Sequence, residues 1–139
     1  MSTLVTMSLP LSKPLPSAAN LREHWATKAK RVKAQRVYVG ILLRQHERQL
    51  RALGWPAVAG RMHVTLSRVA PRKLDDDNLA HAFKAIRDEV AKHFGVDDGS
   101  PRWAWRYTQQ RGAPAIDIDF ELQPMASDVE VDPSDWERP

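Results

Sequence analysis

The stretch Leu74-Asp75-Asp76-Asp77-Asn78-Leu79 marks the point at which this chain changes its hydrophobic period. Before it, Arg61-Met62-His63-Val64-Thr65-Leu66-Ser67-Arg68-Val69 alternates, which predicts a strand with Met62, Val64 and Leu66 on one face and Arg61, His63, Thr65 and Ser67 on the other. After it, at about 100° per residue from Leu79, the residues Ala82, Phe83, Ile86, Val90 and Phe94 fall within about 60° of one direction, which predicts an amphipathic helix. Pro71-Arg72-Lys73 joins the two. The three aspartates open the helix, because carboxylates accept from orphan N–H groups and favour the positive end of the helix dipole. One aspartate suffices for that. Three together repel one another, a cost that a cation offsets, and hard oxygen ligands of this kind suit Mg²⁺ or Mn²⁺.

The polar face of the same helix carries Asp77, His81, Lys84 and Asp88 at i, i+4, i+7 and i+11, a stripe alternating carboxylates with cation-forming groups. Gly95 supplies a left-handed C-terminal cap, and Val96-Asp97-Asp98-Gly99 turns the chain toward another strand. An ideal helix from Asp77 to Gly95 rises about 27 Å, so Asp98 rejoins Asp75 and Asp77 only if the following segment folds back.

Outward from this centre, Leu4 to Leu9 alternates as a first strand ended by Pro10, and Leu11 to Asn20 reads as an extended connection, with Ser17 and Asn20 as turn formers. Residues 27 to 53 form the longest helical pattern, with Val32, Val39, Leu42, Leu43, Leu50 and Leu53 at three- and four-residue steps and Gly40 as its weak point. Trp25 anchors its start. Arg102 to Gln109 alternates with Trp103, Trp105 and Tyr107 on one face, a core or dimer contact. Ala115 to Leu122 alternates with Ile116, Ile118, Phe120 and Leu122 inward and Asp117, Asp119 and Glu121 on a solvated face. The element order predicts an α+β (mixed α/β) fold, a small sheet with two main helices packed on it.

At 139 residues with no cysteine, one domain over residues 1–122 is expected, with neither disulfides nor thiolate metal sites. The acidic, proline-containing segment 123–139 is expected to be a disordered tail. No stretch has the length of a membrane span and no basic region precedes the first apolar run, so a soluble, cytoplasmic protein is the expectation. The net charge of +4 hides an asymmetry: residues 21 to 73 hold 13 Lys and Arg against Glu23 and Glu47, whereas residues 113 to 139 hold eight acids against Arg138. Lys28, Lys30, Arg31, Lys33 and Arg36 crowd the first turns of the long helix, where they oppose its dipole, and contact with a polyanion explains them. Arg72 and Lys73 place charge beside the aspartates. The acidic tail can itself lie on the basic face of residues 28 to 36.

At Asp75-Asp76-Asp77-Asn78 and Asp97-Asp98 the chain resembles the RusA-type Holliday-junction resolvases, whose signature is an Asp-x-Asp-Asn opening a helix, a basic residue one turn on and a later Asp-Asp pair; the resemblance covers roughly residues 7 to 122. It implies a Mg²⁺-dependent endodeoxyribonuclease, with Mn²⁺ able to substitute, that nicks four-way DNA junctions in pairs as a homodimer. It also implies that Asp75, Asp77 and Asp98 are the catalytic, metal-binding carboxylates. The family's usual lysine falls at His81, and Lys84 lies one turn further, so either takes that role. The rival expectations are a non-catalytic, structure-selective DNA-binding protein that kept the fold, and a partner-binding protein using the aromatic strand and acidic tail.

Overall fold

The computed structural model describes residues 4–16 and 25–123. Within them the chain runs β1 (Leu4–Pro10), α1 (Trp25–Gln45), α2 (Glu47–Ala52), β2 (Arg61–Ala70), α3 (Asp76–Ala82), α4 (Lys84–Phe94), β3 (Trp103–Arg111) and β4 (Ala115–Gln123). Helices pack on a four-stranded mixed sheet of order β1-β4-β2-β3, the α+β arrangement expected from the element order. Ser17, Asn20 and the 124–139 part of the tail lie outside the described residues. Among the described residues no helix is long and apolar enough to cross a membrane.

The sheet joins two kinds of connection. β3 and β4 are neighbours in sequence, yet β4 pairs antiparallel with β1 on one side and β2 on the other, while β3 runs parallel to β2 at the edge. A parallel neighbour requires a crossover, and the α3–α4 segment is that crossover. This puts the aspartate-bearing connection at the end of β2. Both strands with a free edge can tolerate breakers, which is why Pro10 sits within β1 at no cost to a central ladder.

Period-2 burial follows the expected faces except toward the end of β2, where Ser67, expected on the polar face, and Arg68 are both buried. Met62, Val64 and Leu66 of β2 are fully buried and pair with Trp103, Trp105 and Tyr107 of β3 and with Leu122, Phe120 and Ile118 of β4. The aromatic stripe of β3 therefore faces the helix-covered core. The other face is polar: Asp117, Asp119 and Glu121 lie opposite Ser8, Thr6 and Leu4 on β1 and opposite Ser67, Thr65 and His63 on β2.

Both expected long helices are interrupted. The first breaks at His46 (φ −107, ψ 16), whose Nδ1 lies 2.9 Å from the Leu42 carbonyl, and not at Gly40. Gly40 is instead buried where α1 meets α4, and a Cβ there would come 3.3 Å from Glu89 Oε1, so its small size serves a close approach. The second helix tightens at Phe83 (φ −95, ψ 2) between α3 and α4. The Phe83 side chain is fully buried, as are Ile86 and Val90, and burying each such group contributes on the order of 1.5–3 kcal/mol. Trp25, expected to anchor the start of α1, is 76% exposed.

Candidate active site

The break at Phe83 leaves the polar stripe in one line. Asp77 and His81 of α3 and Lys84, Arg87 and Asp88 of α4 line a pocket of about 380 Å³, together with Asp98 and Tyr107. The segment after α4 does fold back. Gly95 ends the helix in the left-handed conformation (φ 70, ψ 24), a geometry that costs glycine little, and Ser100 N–H donates to the Asp97 carbonyl at 2.9 Å to close the return turn. Asp97 Oδ2 accepts from Gly99 N–H at 3.1 Å, so Asp97 is spent on the turn and Asp98 is the member of the pair that reaches the pocket.

Arg87 holds Asp98 in place. Its Nε donates to Asp98 Oδ2 at 3.0 Å and its Nη2 to the Asp98 carbonyl at 3.0 Å, while Nη1 donates to the Tyr107 hydroxyl at 2.9 Å. The guanidinium lies 4.7 Å from the centre of the Trp105 ring, and Trp105 Nε1 donates to the same Asp98 carbonyl at 2.9 Å. Trp103 Nε1 donates to the Val96 carbonyl at 3.2 Å. The aromatic strand thus contributes both a packed face and N–H donors that fix the turn carrying Asp98.

The aspartate run is delivered by a second clamp. Gln109 on β3 accepts from Leu74 N–H and donates to the Leu74 carbonyl, both at 2.8 Å, so its amide imitates a strand partner just where β2 has ended. Asp75 follows in extended geometry (φ −64, ψ 156) as the N-cap of α3, but its side chain makes no capping bond. The expectation that these carboxylates accept from the helix N–H groups is corrected there: the cap position keeps an exposed carboxylate unspent on its own helix. Leu79 N–H bonds the Asp75 backbone carbonyl instead, at 2.8 Å.

The basic residues fall into separate places. Arg72 and Lys73 line a depression of about 290 Å³ with Arg111 and Gln109, next to the aspartate run. Lys28, Lys33 and Arg36 line a groove between α1 and α4 with Arg44 and Lys92, and Arg36 Nε is paired with Glu89 Oε2 at 3.2 Å. Lys30 is exposed and Arg31 half-buried on α1, outside that groove. A buried cation went unread in the sequence: Arg68 on β2 donates to the Leu15 carbonyl and the Arg72 carbonyl, each at 2.7 Å, tying the segment after β1 to the connection that carries the aspartates.

The carboxylates of the pocket, Asp77, Asp88 and Asp98, offer the oxygen donors that hard divalent cations take, and they share the lining with His81, Lys84 and Arg87. Asp98 uses Oδ2 on Arg87 and has Oδ1 to offer. Asp75 does not line the pocket, and among the described residues no group of three or more His, Cys, Asp or Glu side chains is gathered closely enough to hold a metal.

Arg87, Gln109, Trp105 and Tyr107 were not singled out for the site from sequence. Arg87 carries one signal: it lies about 80° from Leu79 on the helical wheel, at the border between the apolar sector and the polar stripe. A cation at such a border touches both the core and the pocket. Gln109 carries none, because its role depends on β3 lying beside the end of β2.

No family model matches the chain. An uncharacterized protein of Xylella fastidiosa is 34% identical over 97 residues, covering 63% of this chain. The chain spans 59% of the length of that curated relative.

Proposed function

We propose that this protein is a metal-dependent endodeoxyribonuclease of the RusA type that acts on four-way DNA junctions. The observation that carries the reading is the convergence on one open pocket of Asp77, Lys84, Asp88 and Asp98, residues drawn from α3, α4 and the turn beyond them. Asp77 and Asp98 would hold Mg²⁺ or Mn²⁺, with Asp75 at the cap of α3 as the family-implied third carboxylate. When bound, the ion supplies an activated water and charge stabilisation at the scissile phosphate. Lys84, exposed on the same stripe, balances phosphate charge, and His81 one turn earlier is its competitor for that role. Arg87 orients the Asp98 carboxylate through its fork and leaves one oxygen for the ion. Arg72, Lys73 and Arg111 line a basic depression beside the aspartates and receive flanking phosphates, and the α1 cations Lys28, Lys30, Arg31, Lys33 and Arg36 extend that contact. A homodimer in the cytoplasm presents one pocket to each of two opposed strands of a symmetric junction.

The test is nicking of an end-labelled four-way junction with Mg²⁺, Mn²⁺, Ca²⁺ or excess chelator. Paired nicks with the first two and none with chelator are expected; equal cleavage in chelator would exclude the mechanism. The engagement of Asp98 by Arg87 favours one second reading, a junction-binding protein without turnover. Junction affinity without nicking in any of these metals selects it.

A further inference from the structure

The groove between α1 and α4, of about 680 Å³, shares Lys28, Lys33 and Arg36 with the proposed DNA contact but also has an apolar lining that a phosphate backbone does not use. It combines apolar surface from Ala29, Val32 and Val37 with five cations, Lys28, Lys33, Arg36, Arg44 and Lys92, and has Glu89 as its one acid. Of the large apolar side chains exposed among the described residues, Trp25 and Val37 line this groove, whereas Tyr38 and Ile41 of the same helix lie outside it. Apolar lining within a basic rim makes a surface suited to a segment that carries both acidic and apolar side chains.

A phosphate backbone would satisfy the cations and waste the apolar lining. An acidic segment with interleaved apolar residues satisfies both, and the chain carries one immediately after β4. Residues 124–139 hold Asp128, Glu130, Asp132, Asp135 and Glu137 against Arg138, interleaved with Val129, Val131 and Trp136. Five acids and one base oppose the five cations and one acid of the groove, so the two charges match. Sixteen residues span up to about 50 Å when extended, against a radius of gyration of about 13 Å for a hundred-residue domain, so the segment reaches any face of its own chain.

We propose that residues 124–139 dock in the α1–α4 groove of their own chain, with carboxylates on the Lys and Arg side chains and Trp136 on the apolar lining. The docking itself does not depend on the metal pocket; taken with the nuclease reading, its consequence is that Lys28, Lys33 and Arg36 are covered until a stronger polyanion displaces the segment.

The full chain has no cysteine, so Asp135→Cys takes a single nitroxide label. In the isotopically enriched, labelled protein, paramagnetic broadening should concentrate on amides of residues 28–44 and on Lys92. It should fall sharply in about 0.5 M salt, where charge attraction across more than a few ångströms is screened. The double variant Lys33→Glu, Arg44→Glu should lose the broadening while keeping the rest of its amide spectrum, and Lys33→Gln, Arg44→Gln serves if charge reversal unfolds the chain. Broadening on the open sheet face, uniform broadening, or none would overturn the proposal. So would broadening seen only when the label sits on a second, unenriched copy, because the groove would then be covered in trans.

Discussion

Arg87 Nε and Asp98 Oδ2 lie 3.0 Å apart, joining the middle of α4 to the turn that follows it, and a second bond from the same guanidinium reaches the Asp98 carbonyl. The pair is partly exposed, with side chains 26% and 37% accessible, so its Coulomb energy is screened. Its weight comes from geometry. The fork, the Tyr107 hydroxyl and the Trp105 ring together fix where one carboxylate of the pocket points.

Arg87→Met keeps an aliphatic side chain and removes every bond of the fork together with the guanidinium over Trp105. Unfolding free energy should fall by about 1–3 kcal/mol, the range for hydrogen bonds to charged groups. A double-mutant cycle with Asp98→Asn should return a coupling of at least about 0.5 kcal/mol, as contacting residues do. Additive effects in denaturant titrations would mean that the fork does not hold Asp98 in solution.

Asp75→Asn, Asp77→Asn and Asp98→Asn each keep volume and remove an anionic oxygen ligand. Cleavage of the junction should fall by orders of magnitude in each while gel-shift affinity persists. Asp88→Asn, within the same pocket but outside the family-implied set, should be milder. Full cleavage in all three of the first group would sink the metal assignment.

Lys84 and His81 lie one turn apart on the same stripe, so their roles separate by substitution. If Lys84 balances the phosphate, Lys84→Ala lowers turnover severely and His81→Ala only mildly. The reverse pattern, with His81→Lys raising the nicking rate, assigns the role to His81. Small, equal effects from both would remove either from the reaction.

Gln109→Glu replaces the N–H donor to the Leu74 carbonyl with an acceptor and leaves side-chain size unchanged. A loss of about 1–2 kcal/mol is expected from the bond and the orphaned carbonyl, with a reduced nicking rate because Asp75 to Asp77 start from a looser anchor. Thermal unfolding and single-turnover nicking measure the two. Unchanged nicking in a destabilised protein would limit Gln109 to the fold.

Arg68→Leu removes the donor shared by the Leu15 and Arg72 carbonyls inside the protein. The buried Leu15 carbonyl and the part-buried Arg72 carbonyl then lose their partner, and stability should fall by about 2 kcal/mol. Chemical denaturation reads this directly; a wild-type midpoint would show that water satisfies both carbonyls.

Strands β1 to β4, the apolar face of α3–α4, the left-handed cap at Gly95 and the stripe Asp77, His81, Lys84, Asp88 were legible before any coordinates. Each rests on a local period of two or 3.6 residues, or on the backbone freedom of one glycine, and neither needs knowledge of a distant neighbour. The breaks at His46 and Phe83 were not legible, because a helix that must lay successive turns on a twisted sheet bends where packing demands and not where propensity is weakest. Nor was the placing of β4 between β1 and β2. The parallel pairing of β3 with β2, equally illegible, brings Gln109 beside Leu74 and sets Tyr107 and Trp105 over Arg87, across 35, 20 and 18 positions of chain, and only the folded backbone sets such distances. Aspartates at a helix start name a chemistry; which of them meet in one pocket depends on the fold-back of residues 95–98, held by hydrogen bonds from residues that carry no motif of their own.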